Sequence, residues 1–366
     1  MVIASHASAW VHPSSTWMQQ ASILGTRGVE LFYMVSAFTL FLSFSERSKR
    51  GKFSYSGYFI RRLARIAPMF WVALAIRLVV SGLHPNYWAP DGISKFDVLI
   101  TALFINGWKA AAINSVVPGG WSVAVETSFY LLLPLCFLWV KSLRSALVAT
   151  FVCLVIRNWA GVWYMTHVAH QFPPSQTYLT YSFAWEFWLP SQLPVFMLGI
   201  ILYFVKERMP TNLRLGAFWL SMFAALIVAS PSLNVEQFFP VQFICTIAFL
   251  CLALPMLSGE IPFLNINPLQ QIGKVSFSAY LLHPYLMQLA ERIASRLGFS
   301  RADSDWRYVI AVIVTATISA IVCSYTYRFI EEPGMKAGAW IIQKLRRNDA
   351  GGPGNSNRAV TGTAGI

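Results

Sequence analysis

Charge is scarce in this chain. Asp, Glu, Lys and Arg make up 12% of its 366 residues, about half of what a soluble domain carries. Acidic residues are scarcer than basic ones, 15 against 28, for a net charge of +13. In a soluble protein that excess suggests nucleic acid. Here the apolar content assigns it to membrane topology, since Lys and Arg gather in cytoplasmic loops, and no nucleic-acid partner is expected. The five cysteines (Cys136, Cys153, Cys245, Cys251 and Cys323) lie in or beside apolar runs and form no C-x-x-C pair. Neither a disulfide framework nor a zinc site is suggested, and no metal is expected. There is no secretory signal with a cleavage site, no internal repeat and no appended soluble domain.

Apolar sequence is abundant: 56% of residues are hydrophobic and 15% aromatic. Apolar segments fall near residues 1–11, 29–45, 66–83, 97–108, 121–140, 145–163, 185–205, 215–231, 239–257, 272–290 and 308–330. Most approach the roughly 20 residues that a helix needs to cross a hydrocarbon core. They are too long for the alternating strands of an outer-membrane barrel. The expected fold is all-α, a polytopic bundle of about ten transmembrane helices surrounded by membrane lipid. The segment 97–108 is short, ends in "NGWK", and is expected to be re-entrant or peripheral.

The stretch "ERSKRGKFSYSGYFIRRLAR", residues 46–65, holds seven Lys or Arg and reads as cytoplasmic. Alternation then puts Lys141 with Arg144, the run Lys206 to Arg214, and "QKLRRND" on the same side. Both termini are expected in the cytoplasm, the membrane being a bacterial inner membrane. The bundle spans 1–348, and 349–366 is a Gly- and Asn-rich disordered tail. The first apolar segment is half a span long, so the chain reads as starting inside a helix.

Ionisable residues inside spans cost about 2.5–3.5 kcal/mol on insertion scales and tend to mark function. They are His6, Glu30, Arg77, Glu126, Glu186 and His283. Ser122, Glu126 and Tyr130 share one helical face, and so do Ser276, Tyr280 and His283. Blander readings stand beside these. Glu126 and His6 fit hydrogen bonds between helices. His283, just before Pro284, fits backbone groups freed by the proline. Arg61, Arg62 and Arg65 fit a positive-inside cluster, although Arg62 and Arg65 at i and i+3 also make a fork for phosphate. Arg77 reads as snorkelling outward and is left unassigned. His167 and His170 lack a third ligand and read as a plain loop.

The motifs, in order, resemble transmembrane acyltransferase family 3, the membrane O-acyltransferases of carbohydrates such as O-antigen or exopolysaccharide. "VIASHAS" resembles the family's first-helix histidine segment, and "RGVELFYMVSAFTL" its "GVDLFFVLSGF" stretch. "YFIRRLARIAPMFW" resembles its Arg-x-x-Arg entrance, and "GGWSVAVETSFYLLLPL" its "WSLSVEEQFYLLLP" signature. "IGKVSFSAYLLHPYL" and "YTYRFIEEPG" resemble the last two motifs. The sequence departs from the pattern at Ala37, a glycine in the family, and at Glu30, often Asp. The arginine that the family carries eleven residues before its histidine falls ahead of Met1, in keeping with a truncated first helix.

The resemblance implies transfer from acyl-CoA, acetyl-CoA in the simplest case, to a hydroxyl of a carbohydrate or glycolipid acceptor. It casts His6 as the base that deprotonates the hydroxyl and Glu126 as its partner or as an acceptor-binding group. Arg61, Arg62 and Arg65 meet the donor's phosphates. Glu30, Ser36, Trp121, Ser122, Tyr130, Ser276, Tyr280, His283 and Glu331 become substrate-binding or structural residues. The alternatives are acyl transfer to a lipid, a peptidoglycan sugar or a secondary metabolite, and a flippase of lipid-linked sugars. A flippase usually shows two matched halves, and none is visible.

Overall fold

The computed structural model describes residues 1–51, 53–208, 216–229, 239–259, 261, 266–296 and 304–351. Their secondary structure is helical, and the only β pairing among them is an isolated bridge between Asn86 and Ala89. The helices are α1 (Val2–Ala7), α2 (Thr16–Gly25), α3 (Gly28–Lys49), α4 (Tyr55–Ser81), α5 (Lys95–Ala102), α6 (Gly120–Trp139) and α7 (Leu143–His167). They continue with α8 (Thr177–Ser182), α9 (Leu189–Arg208), α10 (Gly216–Ala229), α11 (Val241–Leu257), α12 (Asn267–Arg296), α13 (Asp305–Thr326) and α14 (Glu332–Gly351). π-Helical turns at Phe183–Phe187 and Tyr327–Glu331 lead into α9 and α14.

Among the described residues, six helical stretches are long and apolar enough to cross a membrane. They contain α3, α4, α6, α7, α9 and α13. The chain is therefore a polytopic helical membrane protein. The other four of the expected ten segments also form helices, but with different lengths or composition. α1 has six residues, α10 fourteen and α11 seventeen. α12 is long, with 30 residues, but carries too many polar ones. Segment 97–108 does not form a spanning helix: α5 has eight residues and two 3-10 turns follow it. Ser94 and Asp97 close a reciprocal cap on its first turn.

Three helices fall outside the apolar segments read from the sequence. They are α2, which leads almost directly into α3, the short α8, and α14, which extends the helical structure to Gly351, past the expected boundary at 348. The remainder of the expected tail, residues 352–366, lies outside the described residues. α14 lies close along α4. A Cβ at Gly334 would meet Pro68 Cγ at 2.7 Å, and one at Gly338 would meet Ala64 Cβ at 2.5 Å.

The core is built around α3, α6 and α9. Phe129 stacks on Phe196 with ring centroids 4.0 Å apart, and Tyr33 stacks on Phe196 at 4.5 Å. α3 and α9 approach most closely at Gly199, where a Cβ would lie 2.2 Å from the Met34 carbonyl oxygen and 2.8 Å from Ala37 Cβ. This accounts for the departure at Ala37. The contact needs one residue without a side chain, and α9 supplies it, so α3 can carry a methyl group.

Candidate active site

α1 is short, so tertiary contacts hold it in place. Tyr308 donates its hydroxyl to the Ala4 carbonyl at 3.0 Å, and the Ser304 N–H donates to the His12 carbonyl at 3.1 Å. The Ser15 N–H donates to Asp305 Oδ1 at 2.9 Å. α1 is thus pinned against α13, and its His6 stands opposite His283 of α12. The two rings are 5.0 Å apart, inclined at 58°.

Pro284 determines how His283 is set. A proline has no N–H, so Pro284 leaves the Tyr280 carbonyl without its helical donor. His283 Nδ1 lies 2.7 Å from that carbonyl and 3.2 Å from the Ala279 carbonyl. Both are acceptors, so in the neutral ring the proton sits on Nδ1 and Nε2 carries the lone pair. Nε2 is buried and has no hydrogen-bond partner among the described residues. The proline-satisfying reading of His283 therefore holds at one nitrogen, and it presents the other as an oriented acceptor.

Both histidines line a cavity of about 750 Å³. Glu30, Trp121 and Tyr280 line it too, as do residues the sequence left aside, among them Arg27, Arg77, Ser115, Gln192 and Tyr285. Arg27 and Glu30 form an ion pair at 3.1 Å. Glu30 Oε2, Arg77 Nη1, Ser115 Oγ, Gln192 Oε1 and the Tyr285 hydroxyl are buried without partners among the described residues, as is His283 Nε2. Buried polar groups are normally paired. Such a concentration in one chamber suits a ligand rich in hydroxyls. Trp121 stacks on Phe187 at 4.5 Å and gives the chamber an aromatic wall. A second, mostly apolar cavity of about 410 Å³ shares Tyr280 and His283 with it and is also lined by Ser122 and Ser276.

Gly119 joins the chamber to α6. Its φ is +77°, and a Cβ there would lie 2.9 Å from the Tyr280 hydroxyl, so the position suits glycine alone. The Tyr280 hydroxyl donates to the Gly119 carbonyl at 3.1 Å. Ser122 Oγ donates to the same carbonyl at 2.9 Å. The Ser122 carbonyl accepts from Tyr33 at 3.1 Å.

The structure does not pair Glu126 with His6. Glu126 is buried and accepts from Ser36 Oγ at 2.5 Å. Tyr130 lies beside it, and Arg65 and Arg62 are its neighbouring cations. The physical reason is register. Glu126 stands two turns into α6 from Gly119, on the side of the bundle that leads to the α4 arginines. Ser276 is exposed and donates to the Gly273 carbonyl at 2.8 Å, an ordinary intrahelical bond. Its buried neighbour Ser278 instead donates to Glu331, which is also near Arg65.

At the other end of α4, Arg61 lies within electrostatic reach of Arg47, Arg62 and Arg346. Arg62 Nε is buried and has no partner among the described residues. Arg346 comes from α14, beyond the last apolar segment read from the sequence. Four guanidinium groups of like charge so close together suit an anion with several negative oxygens. Among the described residues, no three His, Cys, Asp or Glu side chains gather where they could hold a metal.

The family described as "Acyltransferase domain" matches residues 1–326. "Acyltransferase MdmB" of Streptomyces mycarofaciens is 25% identical over 338 residues, covering 88% of this chain and 84% of the relative. "Peptidoglycan O-acetyltransferase OatA" of Listeria monocytogenes is 21% identical, over 89% of this chain and 53% of that protein. "O-acetyltransferase OatA" of Staphylococcus aureus is 24% identical, over 91% of this chain and 56% of that protein. The chain thus spans about half the length of the OatA relatives. No solved structure matches. With the family match running from α1 through α13, the chain belongs to acyltransferase family 3 and is a membrane O-acyltransferase.

Proposed function

We propose that this protein transfers an acyl group, acetyl in the simplest case, from acyl-coenzyme A to a hydroxyl of a cell-surface or exported carbohydrate. The observation that carries the reading is the facing pair His6 and His283, 5.0 Å apart, in a chamber lined by unpartnered polar atoms. The acceptor hydroxyl enters this chamber. His6 takes its proton as the oxygen attacks the thioester carbonyl. The carbon–sulfur bond breaks, and the thiolate leaves with the proton returned by the histidine. A positioned base of this kind contributes typically 10²–10⁴ in rate. His283, not Glu126, serves as the partner of His6: its Nε2 lone pair can accept a ring N–H and orient the base.

The donor's phosphates bind at Arg61, Arg62 and Arg65 with Arg346. Ser36, Glu126 and Tyr130 lie between that cluster and the chamber and position the arginines. The bundle sits in a bacterial inner membrane, with the arginine end and both termini cytoplasmic and the chamber opening on the other side. The carbohydrate class is supported by the hydroxyl-seeking lining and by the Listeria relative, which is named for peptidoglycan.

Mass spectrometry of surface and secreted glycans, with and without the gene, tests this reading. Loss of one acyl mass from one glycan is the expected result. Unchanged acylation of all glycans would overturn it.

A further inference from the structure

Arg77 is the anomaly of the chamber. It is only 7% exposed, and its Nη1 is buried with no hydrogen-bond partner among the described residues. No ion pair reaches it among the described residues. The chamber's carboxylates, Glu30 and Glu186, both lie within electrostatic reach of Arg27. The hydroxyl of Tyr285, itself buried and unpartnered among the described residues, lies within electrostatic reach of Arg77. A guanidinium keeps its proton, so burial leaves a permanent charge with no ion-pair partner among the described residues. Such an arrangement is strongly unfavourable unless a ligand completes it.

We infer that Arg77, with the Tyr285 hydroxyl beside it, is an anion subsite and that the acceptor carries a carboxylate or phosphate. This rests on the acyl-transfer reading of the chamber and narrows its acceptor to an acidic glycan. The planar guanidinium fits either oxyanion in two-point contact. The donor's phosphates are a poor alternative occupant. Arg77 lies fifteen residues from Arg62 on α4, which is roughly 22 Å along the helix axis. It also shares its cavity with His6 and His283, where the acceptor hydroxyl reacts.

The test is a saturation-transfer NMR titration of the full chain in nanodiscs without donor. The probes are methyl glucuronide, methyl glucoside 6-phosphate and neutral methyl glucoside. The wild-type protein should bind at least one charged probe about tenfold or more tightly than the neutral one, since a charge-assisted contact discriminates by about that much. The tighter charged probe tells a carboxylated acceptor from a phosphorylated one. Arg77→Gln should remove the charged-over-neutral margin and leave neutral binding unchanged. Arg77→Lys should keep a reduced margin, because it retains charge without the planar fork. Equal wild-type affinities, no binding of either charged probe, or an undiminished margin in Arg77→Gln would overturn the subsite. The wild-type comparison decides even if Arg77→Gln fails to fold. Transfer from labelled acetyl-coenzyme A is measured separately. A protein with the margin but no transfer would fail the acyl-transfer reading and leave the anion subsite standing.

Discussion

In the proposed function, buried charge at single residues separates the donor end from the acceptor end. Glu126 has Ser36, Arg62 and Arg65 as neighbours, which on the proposed reading places it with the donor end. Arg62→Ala and Arg65→Ala should each weaken donor binding about tenfold or more, the value of a charge-assisted bond. Glu126→Gln keeps the shape but frees the arginines from a neighbouring negative charge. Its expected effect is a changed coenzyme A affinity in purified protein, with the pH profile of transfer unmoved. The pairing of Ser122, Glu126 and Tyr130 on one face was legible from their spacing of four. Where that face points was not, because periodicity says which residues sit together but not which helix they meet. Arg77 shows the same limit. A lone arginine near the end of an apolar run resembles a snorkelling one until the loop after α4 folds over it. His283 was legible from Pro284, yet its free Nε2 became visible only with the two carbonyl distances.

Close approach and capping define the elements that hold the chamber. Gly119→Ala adds a methyl group where φ is +77° and Tyr280 lies within 3 Å. The methyl must displace Tyr280, and the backbone must bear the strain. The expected cost is about 1–3 kcal/mol, seen as a lower melting temperature in detergent, together with impaired transfer. A milder control is Gly51→Ala, which also has positive φ but open space around it. The loop roofing the chamber is fastened by Lys109, which donates to Asp97 Oδ1 at 2.7 Å. Burial opposes the Asp97 charge, yet bonds from Lys109 and Ser94 outweigh it and hold the carboxyl below its ordinary value. A lowered carboxyl stabilises the fold above the unfolded value, near pH 4, and the contribution is lost as pH falls through the folded value. Lys109→Met should therefore speed hydrogen exchange in residues 82–118 at neutral pH. The gap from wild type should close in acid. α2 and α14 escaped the sequence reading for one reason: their faces are mixed polar and apolar, so no long apolar run marks them. The spanning helices were legible because lipid demands unbroken apolar length.

At the scale of the whole molecule, α3 and α4 meet at a basic turn, and their far ends frame the chamber. Ser48 and Tyr87 must then face opposite sides of the membrane. In a background lacking Cys136, Cys153, Cys245, Cys251 and Cys323, Ser48→Cys should be labelled from the cytoplasm. Tyr87→Cys should be labelled from outside. Labelling of both from one side would contradict the arrangement. The polytopic helical architecture and the order of the motifs were legible from end to end. The helix count was less so, since α10, α11 and α12 are helical without being both long and apolar enough to span.

The central claim is that His6 removes the acceptor proton, with His283 as its partner. The most direct measurement is transfer from labelled acetyl-coenzyme A to an acidic glycan in proteoliposomes, alongside donor affinity, for the wild-type protein, His6→Ala and His283→Gln. His6→Ala should bind donor like the wild type and lose transfer by about 10²-fold or more. His283→Gln should also lower turnover, by less, and alter its pH profile, because the base loses its oriented neighbour. A folded His6→Ala protein that transfers acyl groups at the wild-type rate would contradict the account.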